Sequence, residues 1–371
     1  MLVGILSLPP SINYGGILQT YALQTILEKM GYTVVVLDRR NYSQLSFIKI
    51  LIFLKKIFYR YILFDRKKYH YDDRKKEYYN SEYTPFVHFV NKKLKLSEPL
   101  YTSEQLRKFV KDNSFNAIIV GSDQVWNPSC SPCIENYFFN FIPDENIIKI
   151  AYGASFGNAN MEYLKNPQYN ILELIKKINA ISVREHTSID LCKKMFDIES
   201  KHVLDPTMLL SYKDYLLLSS KCEQSNNSIP FLLSYILDKS EWNINLQNRL
   251  FDALNVKKKI VLPVSLEEGH FVTIEQWIDY FSLADFIVTD SFHGCVFSII
   301  FNKPFIAIGN KSRGLDRIKS LLSTFELSDR LICENDVLSI NVLKNVIDWN
   351  KVNTIWENKR KDSLFFLKYN L

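Results

Sequence analysis

The sequence predicts an α/β protein made of two doubly wound domains that face each other across a cleft. Two observations lead to this prediction. The chain has 371 residues, more than one hydrophobic core usually serves. Short apolar runs without polar alternation recur along it, separated by helix-length segments, as expected for parallel sheets covered on both faces.

The predicted strands form two series. The first comprises residues 2–6, 33–37, 117–120, 148–152, 180–183 and 202–204. The second comprises residues 231–237, 259–264, 286–289 and 304–308. Between the series, residues 221–230 have the Asn/Ser/Pro composition of a linker. We therefore expect an N-terminal domain over 1–222 and a C-terminal domain over 229–371 that ends in a helical tail.

Composition limits the function classes. The 46 Lys and Arg residues exceed the 40 Asp and Glu residues by only 6, which suits anionic substrates or an anionic membrane but is too weak to indicate nucleic acid. The scattered cysteines predict reduced thiols and a cytoplasmic protein. Cys130 and Cys133 form a C-x-x-C pair, but no second pair completes zinc ligation, so no metal site is predicted. Residues 1–10 resemble a first strand rather than a signal peptide.

One insertion, near residues 41–105, departs from the α/β pattern. Its segment 47–64 places Lys49, Lys56 and Arg60 on one side of a helix and apolar residues around the rest. Four basic residues in 18 argue against a membrane-spanning helix. Residues 47–81 predict either an interfacial helix on an anionic membrane or a helix packed on its own domain.

Polar residues follow several predicted strands, at the edge where open α/β sheets bind ligands. Gly15 and Gly16 begin a helix whose amides can hold an anion, or they form a tight turn; no dinucleotide fingerprint is present. The loop after 117–120 is either a ligand loop or a capped loop with a packed Trp. Ser155, Arg184, Glu185 and Asp205 follow other strands, and we expect these groups to converge.

The segment 286–301 predicts a strand followed by a helix, with Asp290 or Ser291 near the N-cap. His293 and Gly294 then lie in the first turn, where amides can hold phosphate and an imidazole can exchange protons. A structural histidine beside an ordinary cap is the alternative. Lys311, Arg313 and Arg317 form a cationic set for phosphate or carboxylate, or else a solvated basic face.

Taken together, six motifs resemble those of the polysaccharide pyruvyl transferase family. In order, they are N-Y-G-G-I-L-Q-x-Y-A-L-Q, G-S-D-Q-V-W-N-P, S-F-G, S-V-R-E, L-D-P-T and T-D-S-F-H-G-x-x-F-S-I-I-F-x-K-P-F, all within 11–305. The resemblance implies a GT-B-like fold and transfer of a pyruvyl group from phosphoenolpyruvate to a sugar hydroxyl pair of a cell-surface glycan. It places His293 in the active-site region and the N-Y-G-G and G-S-D-Q loops on the opposite wall. Phosphoenolpyruvate would be a co-substrate, with no resident cofactor.

We assign residues to this chemistry in three groups. His293 would transfer protons, with Asp290 or Asp123 as its partner. The groups expected to bind the donor anion are Arg184, Gly294, Ser291, Arg313, Arg317, Gly15 and Gly16. The groups expected to bind the acceptor are Asn13, Tyr14, Ser122, Gln124, Trp126 and Asn127.

Two other functions stay open: a GT-B glycosyltransferase with a nucleotide-sugar donor, or a non-catalytic binding protein of glycan assembly. The expected acceptor is a carbohydrate, carried on a polyprenyl diphosphate if the enzyme works at the membrane. A homo-oligomer is the default expectation.

Overall fold

The computed structural model describes residues 1–40, 85–142, 146–157, 163–164, 170–219, 229–254, 256–263, 269–310, 314–334, 336 and 345–371. The predicted membrane helix over 47–81 and the linker residues 221–228 lie outside this part of the chain. In the described ranges no helix combines the length and the apolar character needed to span a bilayer.

The first domain is a parallel sheet with strand order β2-β1-β3-β4-β5-β6. Its strands are β1 (Leu2–Leu6), β2 (Thr33–Val36), β3 (Ala117–Val120), β4 (Ile148–Ala154), β5 (Ala180–Val183) and β6 (Lys201–His202). Its helices are α1 (Tyr14–Lys29), α2 (85–93), α3 (Ser103–Asp112), α4 (Ile171–Ile175), α5 (His186–Phe196) and α6 (Tyr212–Leu216). Two 3₁₀ turns, Ile134–Phe138 and Pro206–Leu209, complete it.

The second domain is a parallel sheet with order β11-β10-β9-β7-β8. Its strands are β7 (Phe231–Tyr235), β8 (Lys258–Val261), β9 (Phe286–Thr289), β10 (Phe305–Ile308) and β11 (Leu331–Ile332). Its helices are α7 (Glu241–Leu254), α8 (Ile274–Leu283), α9 (Phe292–Ile300) and α10 (Leu315–Thr324), followed by a 3₁₀ turn, Ser328–Arg330. The last helix, α11 (Trp349–Asn370), ends the chain.

The predicted class, two parallel-sheet α/β domains, is confirmed by this topology. Strands β1, β3, β5 and β9 have the predicted bounds, and β3, β9 and β10 are buried along their whole length. Continuous aliphatic runs therefore identify strands that helices cover on both faces. Two short edge strands were harder to predict, because two residues show no periodicity. Strand β6 begins one residue before its predicted segment, and β11 was not predicted.

The two domains share a continuous apolar core. The Tyr14 ring, at the start of α1, stacks on Trp277 of α8 with centroids 5.4 Å apart. The Tyr14 hydroxyl donates to the Val272 carbonyl at 2.8 Å. Burial of these rings between the sheets holds the carboxyl edges of the strands toward each other.

Helix α11 returns to the first domain, although we predicted it as the tail of the second. The Trp356 indole donates to the Met208 carbonyl at 2.8 Å, and Arg360 Nε donates to the Leu209 carbonyl at 2.7 Å. The Leu204 amide donates to Ser363 Oγ at 3.0 Å. The backbone carbonyls of Met208 and Leu209, at the end of the 3₁₀ turn, therefore obtain their hydrogen-bond donors from side chains of α11.

Candidate active site

Five charged or titratable side chains meet between the two sheets; we call them the interdomain cluster. Asp123, Arg184 and Asp205 follow strands β3, β5 and β6 of the first domain, and His293 and Arg317 come from α9 and α10 of the second. None is more than 9% exposed. Of the four groups expected to converge, Arg184 and Asp205 belong to the cluster, whereas Ser155 accepts from the Gly157 amide and Glu185 accepts from Ser188 Oγ. Both domains contribute to the cluster.

Arg184 is the centre of the cluster. Its Nη1 lies 3.0 Å from Asp205 Oδ2 and its Nη2 lies 3.4 Å from Asp123 Oδ1. Its guanidinium carbon lies 4.4 Å from the centroid of the Phe292 ring, which precedes His293. A planar guanidinium can hold two carboxylates and a ring face at once, which an ammonium cannot.

Asp205 is the site residue that sequence reasoning noted but gave no role. Its Oδ1 accepts from the Thr207 amide at 3.0 Å and from the Thr207 hydroxyl at 2.6 Å, and its Oδ2 accepts from Gln19 Nε2. Burial opposes ionisation, but His293, Arg184 and the Thr207 hydrogen bonds outweigh it and lower the pKa of Asp205. The L-D-P-T motif was the available signal, because Asp followed by Pro-Thr is a self-capping turn.

His293 lies in the first turn of α9, as predicted, and its Nε2 is 3.8 Å from Asp205 Oδ2. This separation is too long for a hydrogen bond, and Nε2 has no partner among the described residues. Burial lowers the pKa of His293 to about 4, although Asp205 and Asp123 act to raise it. The imidazole is therefore neutral at pH 7 and has a ring nitrogen that a ligand could engage.

Gly15 fits against the ring of His293. A Cβ at Gly15 would lie 2.0 Å from His293 Nδ1, so only glycine permits this contact between the domains. Gly16 has another function, since its amide donates to Oδ1 of Asn13, the N-cap of α1, at 3.1 Å. The Gly pair was predicted to bind an anion; in the structure one glycine makes room for the imidazole and the other belongs to a helix cap.

Asp123 connects the two domains. Its Oδ1 lies 3.6 Å from Arg317 Nη1 as well as close to Arg184. Asp123 has a left-handed backbone (φ 78°), held by the Ser155 amide, which donates to the Asp123 carbonyl at 3.1 Å. Burial disfavours its charge, but the two arginines and His293 lower the pKa of Asp123. A strained residue with an ionised, buried carboxylate is typical of functional sites.

Asp290 was predicted as a partner of His293, but its carboxylate points elsewhere. It accepts from the Leu237 amide at 2.6 Å and the Asp238 amide at 3.0 Å. These bonds fasten the loop after β7, and Asp205 is the carboxylate within 4 Å of His293 instead. Burial raises the pKa of Asp290.

The backbone amides of Gly294 and Ser291 are both engaged within the turn before α9, and that of Ser291 donates to Thr289 Oγ1 at 3.1 Å. The Gly294 amide donates to Ser291 Oγ, the N-cap of α9, at 3.3 Å. A Cβ at Gly294 would lie 2.1 Å from Thr289 Oγ1, so glycine is needed for packing of the helix on β9. Arg313, the remaining predicted anion ligand, lies outside the described residues.

The two aromatic residues predicted to stack on a sugar are core residues. Trp126 is fully buried, stacks on Phe138 with centroids 5.1 Å apart, and donates from its indole to the Tyr137 carbonyl at 3.0 Å. Tyr14 is 2% exposed within the interdomain core. The sequence could not separate the two roles, because Trp and Tyr residues occur both in hydrophobic cores and in sugar-binding sites.

Three of the four remaining predicted acceptor residues line a small cavity of about 360 Å³ in the first domain, which Asp123 also lines. Asn13, Ser122 and Gln124 contribute to its wall. Asn127 lies beside it and donates from Nδ2 to Gln124 Oε1 at 3.2 Å. Gln19, which sequence reasoning missed, also lines the cavity, and its buried Oε1 has no hydrogen-bond partner among the described residues. The cavity therefore offers hydrogen-bond acceptors to a ligand.

Comparison with known proteins places the chain in a family. The model of the polysaccharide pyruvyl transferases matches residues 13–312, and no curated protein matches. Similar solved structures include UDP-GlcNAc 2-epimerase from Neisseria meningitidis (9% identity, TM-score 0.49, 98% of this chain and 93% of that one). They also include MurG from Acinetobacter baumannii (9% identity, TM-score 0.43, 97% and 94%). The interdomain cluster lies inside the match, except that Arg317 follows it by five residues. Because the family model matches most of its length, the chain belongs to the polysaccharide pyruvyl transferase family.

Proposed function

We propose that this protein transfers the pyruvyl group of phosphoenolpyruvate to two hydroxyls of a sugar, forming a ketal in the synthesis of a cell-surface polysaccharide. The observation that carries the proposal is the interdomain cluster, which combines two arginines and a neutral imidazole in a buried site of a chain from this family. This set provides cations for a trianionic donor and a group for proton transfer.

Arg184 and Arg317 would bind the carboxylate and phosphate of the donor. In the structure both already face Asp123, and Arg184 also faces Asp205, so the four charges balance. The carboxylate and phosphate of the donor would compete with Asp123 and Asp205 for the guanidinium N–H groups, and the displaced aspartates would have to be solvated or protonated. Because the cluster lies between the sheets, the domains must separate for the donor to enter.

His293 would move the proton that the reaction requires. Its neutral imidazole accepts a proton from the first sugar hydroxyl as that oxygen bonds to C2 of the donor, and the C3 methylene gains a proton to become a methyl group. The C2–O bond to phosphate then breaks, and the second hydroxyl bonds to C2 and releases its proton. The two hydroxyl protons thus balance the new methyl hydrogen and the proton taken by phosphate.

The acceptor would be a saccharide carried on a polyprenyl diphosphate at the inner membrane face. The support for this is the basic, apolar sequence of residues 47–81. Deletion of 47–81 should abolish binding to anionic liposomes without changing phosphoenolpyruvate binding; unchanged liposome binding would contradict the membrane role.

The test is phosphate release from phosphoenolpyruvate with galactoside and mannoside acceptors, with product masses read in parallel. Wild-type protein should give acceptor-dependent release and a product heavier by one C₃H₂O₂ unit, and His293→Ala should lose both. Thr102→Ala, which removes the N-cap of α3 away from the cluster, is the control and should retain turnover. Stabilisation by a nucleotide sugar without any phosphoenolpyruvate turnover would instead favour a glycosyltransferase.

A further inference from the structure

A second cavity, of about 770 Å³, lies at the carboxyl edge of the second sheet. The loop after β7, the start of α7, the loop after β10 and the residues after β11 line it. Its volume falls in the range of small-molecule sites, and it lies where open α/β sheets bind ligands. Of the predicted site residues that the structure describes, none lines it.

The charge of this cavity differs from that of the interdomain cluster. Among the described residues, three carboxylates, those of Asp238, Glu334 and Asp336, line it with one ammonium, that of Lys239. An excess of negative charge disfavours phosphate and carboxylate ligands. Carboxylate oxygens and the Asn310 amide favour a neutral ligand with many hydroxyl donors.

Trp242, near the start of α7, provides the apolar surface of the cavity. It is half-buried, packs partly on the core cluster around Leu246 and Leu250, and has no aromatic neighbour among the described residues. An indole that packs partly on the core and also lines a cavity suits the C–H face of a sugar ring. The cavity thus combines hydroxyl acceptors with a ring platform.

Two elements connect this cavity to the interdomain cluster. The Asp290 carboxylate accepts a hydrogen bond from the Asp238 amide at 3.0 Å. His293 follows Asp290 by three residues in the sequence. Leu315 lines the cavity at the first residue of α10, and Arg317 reaches Asp123 from the same turn. The wall of the cavity and the two cluster residues of the second domain are therefore linked through these two segments of the chain.

We propose that this cavity binds the saccharide acceptor, with Trp242 as the ring platform and Asp238 and Glu334 as hydroxyl acceptors. The inference rests on the proposed function, since a ketal-forming enzyme needs a neutral polyhydroxyl ligand beside its anionic donor. The bracing of the cavity wall by Asp290 gives that residue a role in positioning the acceptor rather than in proton transfer.

The experiment is saturation-transfer NMR on the full chain without donor, using methyl glycosides of galactose, mannose and N-acetylglucosamine, with UDP-N-acetylglucosamine for comparison. At least one glycoside should bind wild-type protein, Trp242→Ala should weaken it by about tenfold, and Trp242→Phe should retain most of the binding. Tyr369→Ala removes a 76% exposed aromatic on α11 and should change nothing.

Phosphoenolpyruvate binding, measured by thermal shift on the same variants, separates the two proposals. Trp242→Ala should keep the shift of the wild type, which also shows that the variant is folded. Glycoside binding that is absent, or unchanged in Trp242→Ala, overturns the acceptor site. Loss of the UDP-N-acetylglucosamine signal rather than the glycoside signal in Trp242→Ala would make the cavity a nucleotide-sugar site. If phosphoenolpyruvate does not shift the melting temperature of the wild type, the proposed donor is contradicted, but the proposed acceptor site is not.

Discussion

Arg317 of the second domain lies 3.6 Å from Asp123 of the first, so a buried ion pair joins the two domains directly beside the candidate active site. Each partner is at most 9% exposed. The pair therefore belongs both to the closed arrangement of the domains and to the donor site that we propose.

Replacing Arg317 by Met should lower the free energy of unfolding by about 3 kcal/mol, because Asp123 would stay buried with less compensation. Chemical denaturation measures this. The control is Lys351→Met, which removes an exposed pair with Glu326 and should leave stability unchanged. Equal changes in the free energy of unfolding of the two variants would show that the interdomain pair stabilises the fold no more than the exposed pair does.

Gly15→Ala should reduce phosphoenolpyruvate turnover by about a hundredfold, since the new methyl group would displace the His293 ring and small misplacements of a catalytic group are costly. Steady-state kinetics and circular dichroism together test this. Gly16→Ala is the matched control: its nearest neighbour is the Asn13 side chain at 3.0 Å, which can move, so most activity should remain. Comparable losses in both variants would place the defect in helix α1 rather than at His293.

Asp205→Asn should lower the pKa of His293 further, because the Asp205 charge acts to raise it. Two-dimensional NMR of the histidine rings reports this titration, and His293→Gln identifies the resonance. In the wild type the ring should titrate near pH 4, and in the variant it should stay neutral to lower pH. A rise in the His293 pKa would mean that Asp205 does not face the imidazole.

Stability should fall as the pH drops from 6.5 to 4. Burial lowers the pKa values of both His202 and His293 to about 4 from 6.5, so in this window the unfolded chain binds protons that the folded chain does not. Urea unfolding across this range should show a shallower slope for His202→Gln. His88→Gln, at an exposed position, should keep the wild-type slope, and the same slope in all three proteins would contradict the role of burial.

The sequence allowed the fold class and several strands to be predicted because short apolar runs rich in β-branched residues, such as 117–120 and 286–289, are typical of buried strands. It also placed His293 in a helical first turn, since the cap and the glycine are local signals. Asp205 was noted without a role and Gln19 was missed, because their contact with each other depends on tertiary packing. Trp126 and Tyr14 were misassigned because burial of a ring is decided by tertiary packing, and Trp242 offered no motif at all.

Helix α11 has a consequence for how the protein can be made. The Met208 and Leu209 carbonyls obtain their donors from residues about 150 positions later, so a nascent chain that has released only 1–222 from the ribosome still lacks part of that domain. The first domain should therefore mature only after α11 has been synthesised, and expression of residues 1–222 alone should yield aggregated protein. Co-expression with residues 229–371 should rescue it, because the missing helix then arrives in trans.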